Sequence, residues 1–245
     1  MTRTLFVRSS FDLATYYLSA YGKLLVDFAI DHGYEVVDLY NDDSQNPARL
    51  LRFEAEMEEK KPDILMMLGH GNETVFTGQD LEVLLKVGVN DDIASGVKTN
   101  LWGCLAGVSL APALVSNTTP ESYAYTSDWV FLFNPDFEAT PLRDPWAKSF
   151  FDSALTTGYA MLLGKTPQEV YEATLERYDY WWNWWMKQND PMADDIMTWL
   201  NWNRSSFVAI TPDGIYKREK LPVSSDLAKV IIPVAAVSAL LFLTR

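Results

Sequence analysis

Ile64-Leu65-Met66-Met67-Leu68-Gly69-His70-Gly71-Asn72 and Val97-Lys98-Thr99-Asn100-Leu101-Trp102-Gly103-Cys104-Leu105-Ala106-Gly107 share one design: a short strand that runs into a glycine-flanked reactive side chain. The first block, Ile64–Leu68, is apolar without alternation, the mark of a strand buried on both faces of a parallel sheet. In such a sheet the carboxyl ends of neighbouring strands open on one crevice, so His70 and Cys104 are expected to meet there. Cysteine attack on a carbonyl needs a thiolate, an imidazole to promote it and to protonate the leaving group, and backbone N–H donors for the oxyanion. Glycines let backbone and substrate approach closely. Each feature alone has a plainer reading: His70 as a satisfied core histidine, Cys104 as a small buried hydrophobe, Gly103 as a turn residue. Their joint occurrence at two strand ends favours chemistry.

Working outward, residues 5–7 predict a first strand, and residues 15–30 carry Tyr17, Leu18, Tyr21, Leu24, Leu25, Phe28 and Ala29 at helical spacing, ending near His32-Gly33. Residues 34–39 predict a second strand, and Asn46-Pro47 opens a helix through Leu51, Phe53 and Met57. A helix is expected near residues 81–87 and another over 105–115. Strands alternating with helices imply right-handed βαβ units and a mostly parallel sheet with helices on both faces, an α/β fold. Beyond Pro141 the chain turns helical. Asp144-Pro145 and Thr166-Pro167-Gln168-Glu169 are helix starts, the second a capping box with proline at the first helical position. The following helix is expected to put Tyr171, Tyr178, Trp182 and Trp185 on one packing face; for the other tryptophans packing is the expectation, with a membrane headgroup layer or a partner surface as the rival. Residues 207–210 predict a late strand closed by Pro212-Asp213-Gly214.

The chain of 245 residues is nearly half apolar, enough for a sizeable core, and its formal charge of −13 without a Lys/Arg cluster excludes a nucleic-acid partner. Its single cysteine excludes an internal disulfide. The N-terminus lacks the long apolar region of a secretory signal. Residues 227–245 hold an uncharged apolar run that is expected to be a C-terminal membrane anchor, following a domain over residues 1–222 with a helical, Trp-rich subregion at about 144–204. Lys217, Arg218, Lys220 and Lys229 precede the run and only Arg245 follows it, which leaves the domain on the cytoplasmic face. A core or interfacial segment in a soluble cytoplasmic protein is the alternative. Oligomeric state is left open.

An apolar block ending in Gly-His-Gly, then a second block ending in Cys-x-Ala-Gly, resembles the caspase-like cysteine peptidases of clan CD, nearest in style to gingipain and CHAT domains. The turn and short helix expected at Thr77-Gly78-Gln79-Asp80-Leu81-Glu82-Val83-Leu84-Leu85 add to the likeness, which covers residues 4–164. The resemblance implies a three-layer caspase-like sandwich, His70 as general base and acid, Cys104 as nucleophile, and the backbone N–H groups of Gly71 and Cys104 as oxyanion hole. It implies no metal and no organic cofactor. Asn72, Asp128 and Trp129 become candidate substrate contacts, Asp128 for a basic side chain before the cut; a turn or cap role for Asp128 and core packing for Trp129 are the rivals. Gly103 stands where the family usually has alanine or serine, and Trp102 where metacaspases carry an acid, so metacaspase-like arginine specificity does not follow.

The function expected is a membrane-tethered cysteine endopeptidase acting on protein or peptide substrates. Two rivals are an inactive caspase-like scaffold or oligomerising module at a membrane, and a non-peptidase α/β domain with an inert core cysteine. Deleting residues 227–245 is expected to turn a membrane-bound protein into a soluble, folded one, followed by membrane fractionation and circular dichroism. A full-length chain that is soluble without detergent, or a truncation that unfolds, makes the segment a core or oligomer contact instead.

Overall fold

In the computed structural model, which describes residues 1–41 and 45–217, the chain alternates as the apolar blocks predict. It runs through β1 (Arg3–Arg8), α1 (Leu13–Asp31), β2 (Glu35–Tyr40), α2 (Leu50–Lys60) and β3 (Ile64–Leu68). Then come β4 (Val75–Thr77), β5 (Val83–Lys86), β6 (Lys98–Trp102), α3 (Leu110–Ser116) and β7 (Ser122–Tyr125). The last part holds α4 (Ala147–Leu162), α5 (Pro167–Trp185), α6 (Ala193–Ser206), β8 (Phe207–Thr211) and β9 (Gly214–Tyr216). Seven strands form one sheet in the order β2-β1-β3-β6-β7-β8-β9. The first five in that order are parallel, and β8 and β9 add antiparallel at the far edge.

Strand side chains alternate between two cores, as the two-residue pleat requires. One face carries Phe6, Met66, Trp102, Tyr123, Tyr125 and Phe207 and is covered by α1, α4, α5 and α6. The other carries Leu5, Val7, Leu65, Met67, Leu101 and Val208 and is covered by α2, α3 and the β4–β5 hairpin. The result is a three-layer α/β sandwich with an aromatic core on one side and an aliphatic one on the other.

Several expectations meet the structure directly. Helix α5 starts with the capping box read from Thr166 and Glu169, each side chain bonded to the other's backbone N–H. The side chain of Asp144 accepts from the N–H groups of Trp146 and Ala147 and so starts α4. The second helix begins at Leu50, later than Asn46-Pro47 suggests. On α5 it is Trp181, not Trp182, that joins Tyr171, Tyr178 and Trp185 in the core; Trp182 is 37% exposed. The Trp181 indole reaches Asp152 on α4 at 2.7 Å, which anchors that rotation of the helix. The expected anchor at residues 227–245 lies outside the described residues. Among the described residues no helix is long and apolar enough to cross a membrane.

The helix expected near residues 81–87 is replaced by an antiparallel hairpin of β4 and β5. Asp80 (φ 53°) and Leu81 (φ 63°) take left-handed backbone, which interrupts any helix there. The segment buries Phe76, Leu84 and Leu85 in the aliphatic core instead. Phe76, wholly buried, then becomes the support of the strand ends. A Cβ on Gly103 would stand 2.7 Å from its ring and 2.9 Å from the Gly69 carbonyl oxygen. That contact explains glycine at 103: the ring occupies the space a methyl group would need. Gly103→Ala is therefore expected to cost about 1–3 kcal/mol of stability in urea denaturation, the usual range for overpacking. Combining it with Phe76→Leu recovers part of that loss, a coupling read from the double-mutant cycle. A neutral Gly103→Ala contradicts the packing argument.

Candidate active site

β3 and β6 pair in parallel with Leu68 opposite Trp102, so His70 and Cys104 each stand two residues beyond that pair, and a Cβ on Gly103 would lie 2.9 Å from the Gly69 carbonyl oxygen. The two loops touch: a Cβ on Gly71 would lie 3.1 Å from the Cys104 carbonyl oxygen. Cys104 is half-buried, and the next residue, Leu105, turns with φ 58°. A left-handed conformation at a branched side chain is strained and is held here by outside bonds. Leu105 N–H donates to the Ser127 carbonyl at 3.0 Å, and Gly107 N–H to the Tyr125 carbonyl at 2.8 Å, stapling the turn to the end of β7.

The His70 ring is oriented by a residue that the motifs do not reveal. Its Nε2 lies 2.7 Å from Oδ2 of Asp12, and Phe11 packs against the ring at 5.8 Å between centroids. Asp12 is the N-cap of α1 and sits in a reciprocal box: its Oδ1 accepts from Thr15 N–H at 2.8 Å while Thr15 Oγ1 accepts from Asp12 N–H at 3.1 Å. Burial opposes ionisation of this carboxyl, yet the bonds from His70 and Thr15 prevail and hold it down at about 2. The signal was present as Asp12-x-x-Thr15 before an apolar helix. What was missing was that β1 neighbours β3, which brings the loop after β1 to His70.

The thiol bonds to backbone, not to the imidazole. Cys104 Sγ–H donates to the Trp129 carbonyl oxygen at 3.9 Å, and no hydrogen bond joins ring and sulfur. Burial pushes the thiol up to about 11; the Trp129 backbone opposes the rise and the negative charge of Asp128 adds to it. Asp128 is exposed, on the loop beyond β7, beside the thiol. Trp129 lies differently. Its indole is 8% exposed in the aromatic core, edge-on to Trp102 at 5.2 Å, and its Nε1–H donates to Tyr178 Oη at 3.2 Å. Only its backbone reaches the crevice.

The two N–H groups expected to form an oxyanion hole have no acceptor among the described residues. Gly71 occupies the non-hydrogen-bonded position of an antiparallel bridge with Phe76, flanked by Asn72 N–H to the Val75 carbonyl and Thr77 N–H to the His70 carbonyl. Its own N–H therefore points away from the hairpin. The side-chain oxygen of Asn72 accepts from Thr74 and Val75 N–H at 2.9 Å each, a local turn that leaves its amide nitrogen for other contacts. Among the described residues no three His, Cys, Asp or Glu side chains gather so as to hold a metal ion.

No family model matches this chain, and no curated protein matches it. Among solved structures it is similar to the complex of the pro- and mature domains of gingipain RgpB from Porphyromonas gingivalis, with a TM-score of 0.53 and 10% sequence identity. The match covers 84% of this chain and 46% of that one, so the chain spans less than half the length of its structural relative. The fold is caspase-like. That likeness is of fold alone.

The thiol's environment sets an expectation for its reactivity. Alkylation of Cys104 by iodoacetamide is expected to be slow at pH 7.5 and to accelerate with pH towards an apparent pKa of about 11. Asp128→Asn removes a negative charge beside the thiol and shifts that profile to lower pH. The pH dependence of the alkylation rate, followed by mass spectrometry, checks both; an unshifted profile in Asp128→Asn separates the two residues electrostatically.

Proposed function

We propose that the protein is a cysteine endopeptidase of caspase-like fold, with Cys104 as nucleophile and His70 as general base and acid. The observation that carries this reading is the meeting of the two strand-end loops: Gly71, next to an Asp12-oriented His70, lies against the Cys104 carbonyl, and the N–H groups of Gly71 and Cys104 lack acceptors among the described residues.

Because Nε2 of His70 is engaged by Asp12, Nδ1 is the nitrogen that exchanges a proton with the reacting groups. In the first half-reaction Sγ attacks the scissile carbonyl, its proton passes to His70, and the N–H pair receives the negative oxygen. His70 then protonates the departing amine, leaving a thioester on Cys104. Water attacks next, with its proton taken by His70, and the acid product leaves as the thiol reforms. Asp12 keeps the ring in one orientation and stabilises its cation throughout, the positioning role of an acid behind a histidine. The thiol need not be ionised at rest, since docking of substrate brings a carbonyl and a base to it together.

Two features favour peptide as substrate. Residues 131–133 follow Trp129 without helix or strand, and their N–H and C=O groups have no partner among the described residues, so an extended peptide finds backbone to pair with beside the thiol. Asp128 offers a negative charge for a basic residue before the cut. Tethering to the cytoplasmic face of a membrane through residues 227–245 is part of the proposal and rests on the sequence. The second reading, an inactive scaffold, is favoured by the thiol's bond to Trp129 and its raised pKa.

Hydrolysis of a fluorogenic peptide library decides between them. Cys104→Ala and His70→Ala are expected to abolish cleavage without loss of cooperative folding, and Asp12→Asn, which keeps a good N-cap, to lower kcat by about 10²-fold or more. Asp128→Asn is expected to reduce cleavage after Lys or Arg far more than after neutral residues at matched ionic strength. A folded wild-type chain that cleaves nothing makes the scaffold reading the account of this protein.

A further inference from the structure

An open cleft of about 520 Å³ lies at the loop after β1 and the start of α1, lined by Phe11, Leu13, Tyr16, Glu138 and Ala139 together with Ser10 and Asp12. We propose that this cleft is the leaving-side subsite, taking an apolar side chain from the residues just after the cut, with a basic residue beside it. The inference rests on the peptidase reading for its direction and deepens it by naming a substrate class.

The direction follows from strand order. The sheet places β1, β3, β6 and β7 side by side, so the loops bearing Asp12, His70, Cys104 and Asp128 form a row across its carboxyl edge. The acyl half of a substrate stays on Cys104, while the departing amine takes its proton from His70. The leaving half therefore lies on the His70 side of the sulfur, and the chain beyond it runs over the loop after β1. That is where the cleft opens.

Its lining sets the chemistry. Phe11 and Leu13 are partly buried and Tyr16 is 38% exposed, with its hydroxyl on the Ala139 carbonyl at 3.3 Å, so the walls are apolar and tied across. The oxygens of Asp12 are already committed to His70 and Thr15. Glu138, exposed at the rim, is the carboxylate left to meet a cation. Two acids and no base in the lining disfavour an acidic segment.

The test uses the full chain and peptides with one constant acyl half. Their leaving halves begin Leu-Lys, Gly-Gly or Asp-Glu, and a methyl ester of the same acyl half has a leaving group too small to reach the cleft. The Leu-Lys peptide is expected to exceed Gly-Gly by about tenfold in kcat/KM, the scale of one filled apolar subsite, with Asp-Glu slowest. Tyr16→Ala combined with Glu138→Lys is expected to erase that preference while leaving the methyl ester rate unchanged. Equal rates for the three peptides, or an equal loss on the methyl ester, overturn the proposal. If wild type cleaves neither peptide nor ester, the peptidase reading fails by itself, and the cleft is then judged by fluorescence anisotropy of a labelled Leu-Lys peptide on Cys104→Ala. Binding that the Tyr16→Ala, Glu138→Lys pair removes keeps the subsite; no binding, or binding those changes do not touch, ends it.

Discussion

The parallel pairing of β3 with β6, seated on the ring of Phe76, is the constraint on which the site depends. Register alone puts His70 and Cys104 at equivalent steps beyond their strands. Phe76 then fixes how the two loops leave the sheet, because Gly69, Gly71 and Gly103 all lie against it, closely enough that a Cβ would meet the ring at 3.4 Å or less. The hairpin that delivers Phe76 is short and would be marginal alone; burial of Phe76, Leu84 and Leu85 under the sheet holds it. A one-residue slip between β3 and β6 would invert every side chain between the two cores and separate the loops, so core packing and site geometry are specified together.

Charge divides the crevice into two unlike halves. On the β1 side, the bonds to His70 and Thr15 hold Asp12 in its ionised form although its side chain is 40% exposed, and it gives His70 a fixed orientation and a partner for positive charge. On the β7 side, burial raises the thiol's pKa and the negative charge of Asp128 adds to the rise. A cationic side chain docked at Asp128 offsets its charge and eases loss of the thiol proton, so in the proposed mechanism the same carboxylate that quiets the free site favours the reaction once a basic substrate is bound. Linkage gives the Asp12 pair a pH signature. Folding lowers its pKa from 3.8 to about 2, so the pair stabilises the fold above the first value and loses that contribution as pH falls through the second.

The strands and the two motifs were legible because a continuous apolar run followed by glycine has few other uses, and the α5 start because a capping box is a local code. Three things were not legible, each for a non-local reason. The hairpin at residues 75–86 has a short apolar segment that suits helix or strand equally, and only its burial beneath the loops decides. On α5 the spacing places Tyr171, Tyr178 and Trp185 correctly and puts only Trp182 in place of Trp181, because aromatic residues surround the helix from 178 to 185 and blur the contrast between faces; the Trp181–Asp152 bond to α4 settles it. Asp12 is a helix cap, a role that the sequence carries only as Asp12-x-x-Thr15. Its second oxygen meets His70 only because the strand order puts β1 beside β3, which no local pattern encodes.

The most direct test of a single reaction centre is to trap its intermediate. A slowly deacylating peptide ester mixed with the full chain and quenched in acid within the first turnover is analysed by mass spectrometry of the intact protein and its peptides. The account predicts one acyl group, on Cys104, at close to one per chain, with almost none on His70→Ala in the same time. Acylation elsewhere, none at all on folded wild-type protein, or equal acylation of His70→Ala would contradict it.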